Sequence, residues 1–297
     1  MDLFLQQTVN AFALGGTYAL LALGLAVVFS IMGLINFAHG ELMTIAGYVL
    51  MYCGLAGLPF LLSVPLAISA SMVAAVLMER IAFRPVRNSS GATMLVTSFA
   101  VAMILQVLFQ NLISTRSQPV LLPQLLSDSV TIGGLVIGVN KIAAIVSTLV
   151  MLVVLDRFMK HQKTGIAMRA AAEDFGVARL MGIRANTVIA GAFALSGLLA
   201  GVAAVLWVSQ RASVDPLMGF MPVLKAFIAA ILGGLGSLRG AVAGGFLLGF
   251  IEIYLAAFLP HEFQEFREPI GLGIVVLVLL FRPNGLIPSA ALKAIKV

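Results

Sequence analysis

The chain has 297 residues, 61% of them hydrophobic and only 10% charged, with a mean hydropathy of +1.10. Soluble domains carry about 25% charged residues, so this composition excludes a soluble protein. The net charge of +6 does not mark nucleic-acid binding, because the basic residues sit in short loops between apolar stretches, where they orient a membrane protein.

Several apolar stretches approach or exceed the roughly 20 residues a helix needs to cross the hydrocarbon core. The alternating segments of about 10 residues expected of a closed barrel do not occur. Lipid forces each segment to satisfy its own backbone hydrogen bonds. The expected fold class is therefore an all-α polytopic membrane protein of about 8–10 transmembrane helices, a single transmembrane domain over residues 1–297. Candidate spans lie at 9–32, 42–58, 60–79, 92–113, 139–155, 187–208, 222–234, 241–259 and 268–282.

The first Arg or Lys is Arg80, whereas a cleavable signal peptide opens with a positive region. Val9–Met32 is therefore read as a retained first span. Two places interrupt apolar runs with glycine and polar residues. One is Gly33–Glu41, holding Asn36, His39 and Glu41; the other is Gly233–Gly240, holding Gly236. Both are expected to be discontinuous helices, because non-helical backbone at membrane depth survives only under protein or beside a water-filled cavity. Matching breaks in two halves point to a transport path and an internal repeat. A simple loop between two tight hairpins reads the same way for the second break.

Of the 18 basic residues, 13 fall in four places: the loop with Arg80, Arg84 and Arg87, the segment Asp156–Arg184, Arg239, and the tail. Alternating spans put all four on one face, cytoplasmic by the positive-inside rule. The opposite face receives the Gln118–Val136 loop, the Ser209–Met221 loop and the acidic turn Pro260–Pro269. Span parity alone leaves the side of the N-terminus open.

Lys225 and Glu252 fall within spans, where a charge requires a partner or a cavity. Lys225 either snorkels to the interface or lines the path. Glu252 is too short to snorkel and calls for a buried pair, a cavity wall or a subunit interface. Asn36, His39, Glu41, Lys225, Gly236 and Glu252 are thus the candidates for a translocation pathway. Glycines at 191, 197 and 201, and at 240, 244, 245 and 249, suit close helix contact. Cys53 lies in an apolar segment and has no second cysteine to pair with. Neither a catalytic set nor a metal spacing is present in the sequence, and the G-x-x-x-x-G-K-[ST] phosphate loop does not occur. If ATP drives this protein, another subunit binds it.

The longest charged island is Asp156–Arg184. Gly165 and Gly182 bracket good helix formers, with Thr164 as a candidate N-cap. On one helix, Met168, Ala171, Phe175 and Ala178 form a stripe, with Glu173 and Asp174 off it. Such a short helix is marginal alone and must lean on its own membrane face or on a soluble partner.

Asn36-Phe37-Ala38-His39-Gly40-Glu41, Ile81-Ala82-Phe83-Arg84-Pro85-Val86-Arg87, Arg169-Ala170-Ala171-Ala172-Glu173-Asp174 with Gly182-Ile183, and Leu232-Gly233-Gly234-Leu235-Gly236-Ser237 together resemble branched-chain amino acid ABC importer permeases of the LivH type. The resemblance runs from about Phe4 to Leu286. It implies no cofactor in this chain, with ATP and magnesium on two cytoplasmic ATPase subunits. It also implies a periplasmic solute-binding protein and a second permease, LivM-like or a self-copy, in a bacterial inner membrane. The segment 156–186 and the C-terminus are then cytoplasmic. Ala171, Ala172, Glu173, Asp174, Phe175 and Gly182 resemble the helix that couples such permeases to the ATPase. Arg239 departs from the pattern, standing where an uncharged residue is expected. A urea or short-amide importer of the same family is the alternative substrate reading. An ion-coupled secondary transporter using His39, Glu41 or Glu252 is the alternative of another class.

Overall fold

The computed structural model describes residues 2–132 and 135–287. Its long elements follow the apolar runs: α1 (Asp2–Met32), α2 (His39–Leu55), α3 (Phe60–Met78) and α4 (Gly91–Leu112), then α5 (Val139–His161). The island forms α6 (Lys163–Glu173) and α7 (Phe175–Leu180). There follow α8 (Ala185–Arg211), α9 (Phe220–Gly233), α10 (Leu238–Phe258) and α11 (Arg267–Phe281). Each of the nine expected spans corresponds to one of these helices. Among the described residues, six helices are long and apolar enough to cross a membrane, and the chain is a multi-pass membrane protein. At 1.5 Å per residue, α2 and α9 reach only about 25 and 21 Å, short of the roughly 30 Å hydrocarbon core.

The two ends of the bundle differ in charge. At one end Arg87 donates to Asn186 at 2.7 Å, joining the α3–α4 turn to the start of α8. A cavity there is lined by Met32, Arg87, Arg179 and Arg184. At the other end β1 (Gln118–Pro119) pairs antiparallel with β4 (Ser213–Val214), Gln118 opposite Val214. A hairpin of β2 (Ser129–Ile132) and β3 (Leu135–Gly138) lies nearby, so the expected Gln118–Val136 loop is partly strand. Gln6 donates to Val136 O at 2.9 Å. The N-terminal end of α1 therefore shares the face of the hairpin, and its C-terminal end shares the face of the arginines.

α1 is the axis of the fold, buried at every residue from Gly15 to Val28. Its seam with α10 is closed by glycine: a Cβ on Gly245 or Gly249 would overlap the backbone of Ala19 or Gly15. α8 meets α3 in the same manner, with Gly197 against Ser71 and Ala75, and Gly201 against Ile68. Lipid supplies no hydrophobic drive between helices, so such van der Waals seams carry the association.

The contacts repeat in opposite sense. α1 packs on α10 as α8 packs on α3, α2 packs on α3 as α9 packs on α10, and α2 touches α8 as α9 touches α1. α1–α4 and α8–α11 are thus two halves of inverted topology, with α5 as the odd span that reverses the second. Gly33, at φ +64, ends α1, and its N–H bonds Phe29 O at 2.8 Å. Ala212, at φ 53, ends α8, and its N–H bonds Val208 O, also at 2.8 Å. After each cap the chain turns back into the bundle before starting a half-length helix.

Three expectations change. The break at Gly233–Gly240 is a tight turn at the arginine-bearing end, where Leu286 and Ile287 donate to the carbonyls of Leu232 and Gly233. The counterpart of the first break is Ala212–Gly219. The island is not one helix, because Asp174 leaves helical geometry at φ −150, ψ 106 and caps α7 by accepting from Val177 N at 2.9 Å. Finally, the N-cap of α6 is Gln162, two residues closer to α5 than the expected Thr164.

Candidate functional site

The polar residues of the first break are buried. Asn36, His39 and Glu41 are 1%, 0% and 1% exposed. Returning from Gly33, the chain brings the His39 ring against Gly24 of α1, eight residues or about 12 Å before the end of that helix. His39 Nδ1 lies 2.9 Å from Ser196 Oγ of α8. Gln106 of α4 donates to Glu41 Oε1 at 2.8 Å. The backbone N–H of Phe37 bonds Ser98 Oγ at 3.3 Å, and the Phe37 ring stacks on Phe99 at 4.4 Å. Polar groups at depth are thereby covered by protein, as a break in lipid requires.

Lys225 and Glu252 form the second cluster. Lys225 Nζ lies 2.7 Å from Glu252 Oε1 and 3.1 Å from Glu268 Oε1. The Tyr18 hydroxyl donates to Glu252 Oε2 at 2.9 Å. Lys225 and Glu252 are about one-fifth exposed, 19% and 21%, so their attraction is only partly screened. They stand at the floor of a cleft of about 600 Å³ on the strand-bearing face, walled by Trp207, Arg211, Asp215, Arg267 and Glu268. On the other side of the pair lies a second space of about 240 Å³, with Leu224, Ile228, Leu248 and Ile251 in its walls. The ion pair thus separates a polar cleft from an apolar pocket between α9, α10 and α11.

The third cluster is the island. Met168, Ala171 and Ala178 are buried and Phe175 is partly so, while Glu173 and Asp174 face outward. Gly182, at φ +85, lets the chain turn out of α7 towards α8. Ala172 packs against the core. Further along the segment Leu180 and Met181 are 87% and 79% exposed, a bare apolar ledge.

The structure joins Lys225 to Glu252, and gathers Asn36, His39 and Glu41 separately. Gly236 belongs to neither group; it lies in the α9–α10 turn at φ +79. Tyr18, Glu268, Gln106 and Ser196 were not anticipated as site residues. A phenol or amide inside an apolar span was the available signal, since each requires a partner at depth.

A model of the family described as branched-chain amino acid transport system / permease component matches residues 7–281. BraD, a high-affinity branched-chain amino acid transport system permease protein of Pseudomonas aeruginosa, is 36% identical over 296 residues, covering 96% of this chain and 95% of that protein. LivH of Salmonella typhimurium, of the same description, is 37% identical with the same coverage. LivM of Salmonella typhimurium, also a permease protein of that transport system, is 28% identical over 91% of this chain and 68% of its own length.

Proposed function

The chain belongs to the family of branched-chain amino acid transport system permease components, and from that premise we propose that it is the transmembrane permease subunit of an ATP-driven importer for branched-chain amino acids, working by alternating access. Its arginine-bearing face is cytoplasmic under the positive-inside rule, which sets the N-terminal end of α1 outside, in a bacterial inner membrane. The C-terminus is cytoplasmic. ATP and magnesium are bound, and ATP hydrolysed, by two separate cytoplasmic subunits. A periplasmic binding protein delivers the solute, and a second permease, LivM-like or a self-copy, completes the membrane pathway.

The observation that carries the reading is the island's surface. Leu180 and Met181 stand almost bare in the same segment as the exposed Glu173, and a short helix pair with exposed apolar side chains fits a partner's groove. We assign Ala171, Ala172, Glu173, Asp174, Phe175 and Gly182 to this coupling surface, within the segment 156–186. The α6 stripe packs inward, so a push on the ledge reaches α5 and α8 as rigid bodies. An ATPase shifts the permease between outward and inward states only through its differential affinity for them. Lys225, Glu252 and the outer cleft serve the path; the apolar pocket behind them suits an aliphatic side chain.

Glu173→Lys tests the coupling. It is expected to leave the protein folded in the membrane and to separate ATP hydrolysis from uptake in vesicles holding all subunits. Normal ATP-driven uptake by that variant would sink the assignment. Identifying which solute stabilises the cognate binding protein tests the substrate class independently.

A further inference from the structure

Arg239 is not accounted for by the coupling surface or by the outer cleft. It lies in the first turn of α10, where the helix dipole opposes a cation, so helix stability does not explain it. Its surroundings do. Arg239, Arg169 of α6, and Lys160 and Asp156 of α5 rim a cleft of about 370 Å³ on the arginine-bearing face. Below the rim the walls are apolar: Leu152 and Leu155 on one side, Val242 on the other, Leu23 of α1 at the floor.

The charges do not balance. Asp156 is bound to Lys160 at 2.7 Å. Among the described residues, neither Arg169 nor Arg239 has a carboxylate within ion-pair distance. Two guanidinium groups without an ion pair, Arg239 within electrostatic reach of Asp156, therefore stand over a hydrocarbon-lined slot. Leu23 lies nine residues before the end of α1, about 13 Å down its axis. That depth is beyond the surface contacts of a soluble partner and suits a chain from the bilayer.

The geometry points to an anionic phospholipid as the occupant. Its phosphate is held by Arg169 and Arg239, and its first acyl methylenes lie between α5 and α10 against Leu23. Basic pockets between spanning helices on the cytoplasmic side take such headgroups, at a gain of about fivefold in affinity per cation. The cleft is separate from the outer one; the proposal rests on the cytoplasmic placement of this face, and not on the transported solute.

The test uses the full chain, purified in mild detergent and exposed to phosphatidylglycerol or phosphatidylcholine, with retained lipid read by native mass spectrometry. One phosphatidylglycerol is expected to remain where phosphatidylcholine does not. The double variant R169Q/R239Q is expected to lose retention by about thirtyfold. V242W, which fills the slot and leaves both cations, is expected to lose it as well. Both variants change side chains that line the cleft, and an unchanged thermal midpoint confirms that they fold. Equal retention of the two lipids, or undiminished retention in either variant, would overturn the proposal. So would displacement of the lipid by inorganic phosphate alone, which would identify the site as one for a soluble anion.

Discussion

Gly40, in the first turn of α2, and Gly219, immediately before α9, touch through their backbones: a Cβ on either would fall on the other's carbonyl group. The N-terminal ends of the two half-length helices thus meet head to head, with no side chain between them. The meeting point relates the inverted halves and fixes how far each half-helix penetrates.

The first prediction concerns that contact. Gly40→Ala and Gly219→Ala force backbone apart in a packed interior, where one added methyl costs about 1–3 kcal/mol. Each is expected to lower the thermal midpoint of the purified protein. The double variant should not cost the sum, because both methyls oppose the same contact. A neutral result for either single variant would show that the junction is loose.

Gly33 and Ala212 give a contrast in conformation rather than space. A Cβ on Gly33 meets nothing within 4 Å, yet its φ is +64. Gly33→Ala is expected to cost about 1 kcal/mol from the left-handed backbone alone. Ala212 already bears that strain at φ 53, so Ala212→Gly is expected to be neutral or slightly stabilising. Chemical denaturation in mixed micelles distinguishes the two.

This pair also explains what was legible in the sequence. The nine spans could be read because lipid demands long apolar runs. The first break was visible because Gly33, Asn36, His39 and Glu41 interrupt one. Its counterpart was not, because α8 ends at Arg211-Ala212-Ser213, with no glycine to mark the turn. The glycine-rich 233–240 stretch drew attention instead, and its glycines serve the close approach of α9, α10 and the segment after α11. The island's division was hidden in a run of helix formers, where one Asp side chain capping Val177 outweighs propensity.

Breaking the ion pair beneath the outer cleft should be costly from one side only. Lys225→Met leaves Glu252 facing Tyr18 without its cation, at an expected cost of about 2–3 kcal/mol for a partly buried pair. Glu268 is 57% exposed, and Glu268→Gln is expected to cost less than about 1 kcal/mol. Lys225→Met combined with Glu252→Leu should recover much of the first loss, measured by a double-mutant cycle. The Lys225–Glu252 pairing joined positions that the sequence presented only as isolated charges, and the phenol of Tyr18, which called for a partner, found it 234 residues away in Glu252.

Gln106→Leu removes the donor to buried Glu41 Oε1. An orphaned buried acceptor costs about 1–3 kcal/mol, and a fall in the thermal midpoint is expected. Gln106→Glu should be worse, since it sets a second carboxylate against the first. Equal stability of the two variants would remove Gln106 from the account of this break.

Leu180 and Met181 offer the opposite signature. Exposed at 87% and 79%, they should tolerate replacement by Ser with a stability change within about 0.5 kcal/mol. Binding of the ATPase subunits in a pull-down from the membrane is expected to fall at the same time. Intact binding by the double Ser variant would dissociate the ledge from the partner.

The cover over the first break also imposes an order of assembly. His39 Nδ1 and Glu41 Oε1 find their partners in Ser196 and Gln106, and the start of α2 is roofed by Gly219. All three arrive later in synthesis than α2 itself. When α2 enters the bilayer, its polar first turn has nothing of its own to lean on. The cover over that turn is therefore complete only when α8 and the start of α9 have been made. Parts of the chain far apart in sequence thus close around a gap that lipid cannot fill.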